Sequence, residues 1–493
     1  DVLIIGAGMS GCAAARALAV ADPEQRRRIL LIDRHRGAAP RFAGEFIHPR
    51  GAQVLDDLDF LGPLLRAGAA AVDGFTVLER ADGRCVELPY RETAYPRKRG
   101  VAIHHKTLVQ VMRAVVRDTC PQVELREGVA LHELLRDETG RVVGARLERR
   151  PRGELFTVRA DVVVGADGKA SATRKLAGIA GEREIIGYTV GFLLPRARVP
   201  SPTHGNVILG ARGPVLVYPI QQDPDGALHY RLTMDLPREL PARGRALTRY
   251  LERAFVPFLP SPLAGQTAQA IADASAAGRK LELAPTVNLP APSATLPGLA
   301  LIGDAAGCSH PITASGMTMG LRDAELLGRE AARSHGRAHG GPWLDDLALA
   351  RYRATHDRYV PTRQVLADAI YEAFRGEDEG ARMIQRALFE YWIASPTARA
   401  RSMALLSCAE GRPSVFLSEY LRAARHAVRT SLLPRHASHF PVSDRVRQVY
   451  SAAALARGKL GRALGVVWSQ IRPDLSGSFN GTLDSLARVT RLG

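Results

Sequence analysis

DVLIIGAGMSGCAAARALAVA (residues 1–21) and ILLID (29–33) decide the fold. Val2–Ile5 is a short apolar run, GAGMSG a glycine-rich turn, the Ala-rich stretch after it helical in composition, and ILLID a second apolar run. Strand, turn, helix and strand in that order form a βαβ unit, whose natural consequence is a parallel sheet. Gly6, Gly8 and Gly11 carry Gly-x-Gly-x-x-Gly spacing. Glycine suits these places because the chain turns tightly, its backbone approaches a pyrophosphate, and the helix packs close to the strand. The helix N-terminus adds unpaired N–H groups and a positive dipole end. Asp33 follows Gly11 by 22 residues, where a carboxylate can accept hydrogen bonds from ribose hydroxyls. A dinucleotide site is expected at these four residues, and the motif leaves FAD and NAD both open.

Outward from this unit, residues 72–90 alternate like strands, 104–117 like an amphipathic helix, and 123–165 like a run of strands ending in DVVVGADG. Alternating segments broken by Pro and Gly between 187 and 235 predict an antiparallel sheet. A helical piece covers about 242–278, LALIGDAAG (299–307) is another buried strand with a glycine turn, and a helix starts near Gly316. From about 345 helices dominate, with breaks expected at Gly376, Pro396, Pro413 and Pro434. The expected fold is α/β: a Rossmann-like nucleotide-binding domain in three parts (1–72, 100–183, 285–344), an interleaved antiparallel-sheet substrate domain (73–99, 184–284) and a C-terminal helical region (345–493).

Composition bounds the function. The 493 residues are 46% hydrophobic, enough for a large core. The net charge of +17 favours anionic partners, although Arg in an Ala/Arg/Gly/Leu-rich chain equally fits high-GC coding. No clustered basic-aromatic motif supports nucleic acid. Cys12, Cys85, Cys120, Cys308 and Cys408 lack metal or disulfide spacing, which argues for a reducing compartment and no metal site. No apolar run reaches the roughly 18 residues of a membrane-spanning helix. No signal peptide is expected, and a few residues are expected to be missing in front of Asp1.

Gly303-Asp304-Ala305-Ala306-Gly307 follows an apolar strand and precedes Thr313-Ala314-Ser315-Gly316; Asp167-Gly168 follows another strand. With the first glycine turn, these segments resemble the flavoprotein monooxygenases of para-hydroxybenzoate hydroxylase type. RFAGEFIHPRG (41–51) and DAAGCSHPITASGMT (304–318) narrow the resemblance to squalene epoxidases (squalene monooxygenases). GVAIHHKTLVQVMR (100–113), YTVGFLL (188–194), GPVLVYPI (213–220) and AIYEAF (369–374) agree with it. The resemblance covers almost the whole chain.

It implies FAD as cofactor, with contacts at Asp33, Arg34, Arg41, Phe46, Arg113, Asp304, Gly316 and Met317, and a backbone contact near Leu131. Arginines can fork onto phosphate or flavin carbonyl oxygens. Pro311 and the small residues 314–316 would let the ring and dioxygen approach the backbone. His48, Phe75, Leu216, Tyr218 and Pro311 are expected at the substrate pocket. The chain departs from the family in having His48 for Gln, Phe75 for Tyr, and Ala314-Ser315-Gly316 for three glycines. These changes make the pocket more apolar, apart from a titratable His48.

The implied activity is insertion of one oxygen atom into an apolar alkene or polyene, squalene or another isoprenoid, through a flavin C4a-hydroperoxide. NADPH or NADH supplies the electrons, directly or through a partner reductase. The flavin carries the hard chemistry, so no catalytic acid or base is assigned. Alternatives are a flavin-dependent isoprenoid reductase and a non-enzymatic FAD-fold escort protein. Halogenation is disfavoured, because VVWSQIRP (466–473) holds a single Trp. The basic amphipathic segments 416–433 and 445–471, the second with Trp468, suit peripheral membrane contact. A cytoplasmic protein, peripheral on the inner face of a membrane, is expected.

Overall fold

The computed structural model describes residues 1–432 except 39–43, 81–82, 180, 211, 279–280, 291–292, 336–342 and 377–378. Its nucleating unit is the predicted βαβ. Val2–Ile5 lies between Ile29–Asp33 and Val162–Gly165, parallel to both and wholly buried. The six-stranded sheet runs Thr295–Leu296, Leu299–Leu301, Val162–Gly165, Val2–Ile5, Ile29–Asp33, Val123–Glu127. Only the edge hairpin of Thr295–Leu296 with Leu299–Leu301 is antiparallel. Helix Met9–Ala21 packs along helix Gly316–His335, where a Cβ on Gly328 would stand 2.8 Å from that of Ala17. The small residues of the first helix allow this approach, and together the two helices bury its Ala-rich face. A three-stranded antiparallel sheet, Val129–Arg136, Val142–Arg149 and Glu154–Arg159, packs on the other side.

The second body is a seven-stranded sheet: Glu282–Asn288, Glu184–Leu194, Leu228–Pro237, Val215–Gln222, His204–Ile208, Gly74–Leu78, Cys85–Pro89. Its pairings are antiparallel except His204–Ile208 with Gly74–Leu78. The first of these strands runs past residue 284 because it pairs along Glu184–Leu194. Side chains alternate across a strand. On Leu228–Pro237, Tyr230, Leu232, Met234 and Leu236 pack in a core with Leu247 and Leu251 of helix Arg245–Ala254, its C-cap residue Phe255, and Leu263 of helix Ser261–Ala276. The alternate residues Arg231, Thr233 and Asp235 face the nucleotide-binding body across a cleft.

The C-terminal region is helical: Asp346–Arg375, Glu379–Ala394, Pro396–Leu406 and Pro413–Leu432. Asp345 caps the first by accepting from Ala348 N at 2.7 Å, and Gly376 ends it in the left-handed conformation. Pro396 starts its helix behind the Ser395 cap. Pro361 lies inside the first helix without ending it. Phe374, Phe389 and Trp392 from these helices join Phe46, Phe75, Tyr90 and Tyr218 in one core, which seats the helices behind the cleft. No helix among the described residues is long and apolar enough to cross a membrane. The break at Pro434 and the 445–471 segment lie outside the described residues.

Candidate active site

One side of the cleft is the glycine turn. Gly6 has φ +107°, and a Cβ there would sit 2.5 Å from Ala166 O; a Cβ on Gly11 would sit 1.8 Å from Gly6 O. These two glycines are demanded by the protein's own backbone. Gly8 differs: nothing lies within 4 Å of its Cβ position, and it lines the cleft as the N-cap of helix Met9–Ala21, with no side-chain cap hydrogen bond and no acidic residue in the first turn. Helix N–H groups without a protein cap, beside open space, fit a pyrophosphate.

Asp33 is fixed next to this turn. Its Oδ2 accepts from Ala7 N at 3.0 Å and Arg113 Nη2 at 2.8 Å, and its Oδ1 accepts from His35 N at 2.8 Å. Arg113 also donates from Nε to Ala7 O at 2.8 Å and from Nη1 to Glu127 Oε1 at 2.6 Å. The guanidinium of Arg113, expected as an FAD contact, is thus held by protein acceptors. The buried arginine ties helix His105–Thr119 to the turn and sets the orientation of Asp33.

The facing rim is the segment 303–317. Gly303, at φ +58°, donates its N–H to Asp323 Oδ2 at 2.8 Å, and its Cβ position lies 2.6 Å from Ser10 Oγ. This presses Asp304 against the glycine turn, on the cleft wall. The short helix Pro311–Thr313 and left-handed Ala314 then lead into helix Gly316–His335, so Pro311, Gly316 and Met317 line the cleft as well. Asp167 serves the scaffold, accepting from Ser171 Oγ at 2.5 Å and Thr173 N at 3.0 Å, while Gly168 and Lys169 line the opening.

The third wall is the sheet face with Thr189, Leu216, Tyr218, Thr233 and Asp235, joined by Phe46 and Ile312. Two polar groups stand on it that sequence reasoning missed. Glu45, 2% exposed, accepts a fork from Arg231 (Nε to Oε2 and Nη2 to Oε1, both 3.0 Å) and the Tyr218 hydroxyl at 3.0 Å. Burial and this carboxylate push the Tyr218 phenol well above its ordinary range. In the second group, His310 Nδ1 accepts from Ile312 N at 3.1 Å, which puts the ring proton on Nε2, 3.3 Å from Asp235 Oδ1. Tyr371 stacks on His310 at 3.6 Å and donates to Asp235 Oδ2 at 2.9 Å.

His48 and Phe75, expected on the pocket, lie behind Phe46, whose ring is 5.3 Å from His48 and 5.1 Å from Phe75. His48 is fully buried. Its Nε2 donates to Thr313 O and its Nδ1 accepts from Tyr90 OH, both at 2.7 Å, so the imidazole pins the rim from beneath. Burial lowers its pKa from 6.5 to about 4. The unfolded chain therefore binds the His48 proton between these pH values while the folded chain does not. This stability contribution is full above pH 6.5 and is lost as pH falls toward 4, by roughly 3 kcal/mol. Urea titrations across that range should show a steep loss for wild type and a flatter profile for His48→Gln; equal slopes would contradict this role.

The other expected residues are dispersed. Arg34 is exposed and bonds His35 at 3.0 Å. Leu131, half-buried in strand Val129–Arg136, packs near Ile32 and Val129 away from the cleft. Arg41 lies outside the described residues. Gly6, Gly8, Gly11, Asp33, Phe46, Asp304, Gly316 and Met317 converge on the cleft or its glycine turn, and the orphan N–H groups and open Gly8 face fit FAD.

A family model for squalene epoxidase matches residues 159–443, and one for an FAD binding domain matches 1–240. The chain belongs to the squalene epoxidase family. It is an FAD-dependent monooxygenase. Among relatives, squalene monooxygenase of Mus musculus is 28% identical over 437 residues, covering 87% of this chain and 71% of that protein. The mitochondrial squalene epoxidase 2 of Arabidopsis thaliana is 28% identical over 442 residues, covering 88% and 71%. The flavin-dependent brominase Bmp2 shares the fold at TM-score 0.64, with 17% identity over 86% of this chain and 99% of that one. Squalene epoxidase membership disfavours the reductase and escort readings.

Proposed function

We propose that this chain epoxidises squalene or a similar apolar polyene, using O2 and electrons from NADPH or NADH, directly or through a partner reductase. The observation that carries this reading is the shared cleft. Phe46, Leu216, Pro311, Ile312 and Met317 present apolar surface beside the glycine turn, and an apolar core continues behind them to the C-terminal helices. The two relatives are named for squalene, which supports the same substrate.

FAD, when bound, supplies the redox and oxygen chemistry. The chain's residues do the rest. The N-terminus of Met9–Ala21 would hold the pyrophosphate and Asp33 would accept from a ribose hydroxyl, with Arg113 keeping that carboxylate aimed. Asp304, Gly316 and Met317, on the same cleft, would bound the rest of the cofactor. Phe46, Leu216 and Ile312 exclude water and orient the polyene. His310 and Asp235 are buried at the cleft wall, with Nε2 3.3 Å from Oδ1, and join the rim 303–317 to the sheet face.

Peripheral contact with the cytoplasmic face of a membrane would use helix Pro413–Leu432, where Leu421 is 48% exposed and Arg422 and Arg425 add positive charge. Oxygen uptake by flavin-loaded protein with a reductant tests the substrate class. Squalene and other polyenes should stimulate uptake and polar aromatics should not; the reverse order would overturn the apolar assignment.

A further inference from the structure

Helix Asp346–Arg375 belongs to the C-terminal region, yet one stripe of it bears on the segment that forms the cleft rim. Tyr352, His356 and Tyr359 follow one another at i, i+4 and i+7, which places them on one helix face. All three are buried, and none of them lines the cleft. Tyr352 donates to Leu301 O at 2.8 Å, at the end of the strand that leads into the rim. Tyr359 donates to Asp323 Oδ1 at 2.5 Å, and Asp323 Oδ2 accepts from Gly303 N at 2.8 Å. One buried carboxylate thus connects the C-terminal helix to the first residue of the rim.

The charges around Asp323 fit this link. Burial and the Asp323 charge hold the Tyr359 phenol well above its ordinary range, so it stays a donor. His356 Nε2 stands 3.9 Å from the same Asp323 oxygen, and its Nδ1 is 3.2 Å from Asp357 Oδ1. Burial, and more weakly Arg322, lower the His356 pKa; Asp323 and Asp357 outweigh them, and the net shift is upward. A histidine cation is therefore favoured beside the buried carboxylate. On its other side Gly303 is closed in as well. Its Cβ position lies 2.6 Å from Ser10 Oγ, and that of Gly320 lies 3.3 Å from Gly303 Cα. Gly320 and Asp323 share a face of helix Gly316–His335. Gly303 is clamped between Ser10 and Asp323, and the residue after it, Asp304, lines the cleft.

We propose that Tyr359 is a positioning residue for the flavin: through Asp323 it fixes Gly303 and the Asp304 side of the cleft, so that the C-terminal helix sets cofactor affinity without touching the cofactor. The inference rests on FAD lying between the glycine turn and this rim. A hydroxyl bonded to a carboxylate in the interior is a strong bond that orients both groups. Without it, Oδ1 loses its donor, and the carboxylate turns toward the His356 cation. That turn draws Oδ2 off Gly303 N and frees the rim to shift.

The test titrates FAD into flavin-free, full-length protein far below the melting temperature of each variant. Tyr359→Phe should bind FAD about tenfold more weakly. Tyr352→Phe loses a hydroxyl of the same helix but leaves Asp323 in place; it should melt earlier and keep its FAD affinity within about twofold. If Tyr359→Phe does not fold, two changes at Asp323 carry the test. Asp323→Asn keeps an acceptor for Gly303 N and offers a donor to the Tyr359 oxygen, so it should bind FAD nearly as wild type does, whereas Asp323→Leu should lose about tenfold or more. Unchanged affinity in Tyr359→Phe, an equal loss in Tyr352→Phe, or an asparagine variant no better than the leucine one would overturn the proposal. Gly8→Ala, titrated alongside, separates the two readings. If it binds FAD as wild type does, the cofactor lies elsewhere and both fall; if it loses affinity while Tyr359→Phe does not, only the positioning role falls.

Discussion

Gly11→Ala should give protein that is both unstable and free of flavin. The added Cβ would lie 1.8 Å from the Gly6 carbonyl oxygen and 3.0 Å from its carbon, and both are backbone atoms. Neither can yield without moving strand Val2–Ile5, the centre of the six-stranded sheet. Overpacking of this kind costs more than about 3 kcal/mol. Gly8→Ala separates folding from binding. Its Cβ meets no protein atom within 4 Å, so the fold should stand, yet the methyl group occupies the open face where the pyrophosphate approaches. Thermal melting of the flavin-free forms and flavin titration should show Gly8→Ala near wild type in stability and weakened by about tenfold or more in affinity. Equal flavin affinity for Gly8→Ala and wild type would place the cofactor elsewhere.

The second large effect is at the ion pair on the sheet face. Removing Glu45 takes from the Arg231 guanidinium, whose side chain is 7% exposed, both bonds of its fork and takes from the Tyr218 hydroxyl its acceptor. Glu282 still touches Arg231 at 3.1 Å, but it is itself 57% exposed and screened. Breaking a buried pair from one side costs about 3–5 kcal/mol, whereas replacing both partners by apolar residues costs little. Urea unfolding should therefore find Glu45→Leu strongly destabilised and Glu45→Leu with Arg231→Met largely restored. Additive losses would show that the two side chains do not act as a pair.

These two sites also mark what the sequence could and could not reveal. The glycine turn was legible because its demands are local: a positive φ at Gly6 and a close approach at Gly11 leave a fixed spacing in the chain. The rim 303–317 was legible in the same way. The resemblance extended that reading to FAD and to the family, which the family match shows. The Arg231–Glu45 and His310–Asp235 groups were not legible. Arg231, Thr233 and Asp235 alternate with apolar residues, and that pattern is the same whether the polar face meets water or a second body. Their separations in sequence, 186 residues for Arg231 to Glu45, carry no local signal. Arg113, an FAD contact by the resemblance, has its guanidinium held by Asp33, Glu127 and Ala7 O, partners that lie far from it in sequence and that no local pattern announces. His48 was expected at the pocket because it stands where the family has Gln; the structure turns the ring inward to Thr313 O and Tyr90.

On the proposed reading, this cleft directs one atom of molecular oxygen onto an apolar polyene. This chemistry is tested most directly by supplying flavin-loaded protein, an electron source and squalene with isotopically labelled dioxygen, then weighing the product. The expected product is an epoxide carrying one labelled oxygen atom, formed only when dioxygen is present. A product that gained two hydrogen atoms and no oxygen, formed equally well without dioxygen, would contradict epoxidation at this cleft.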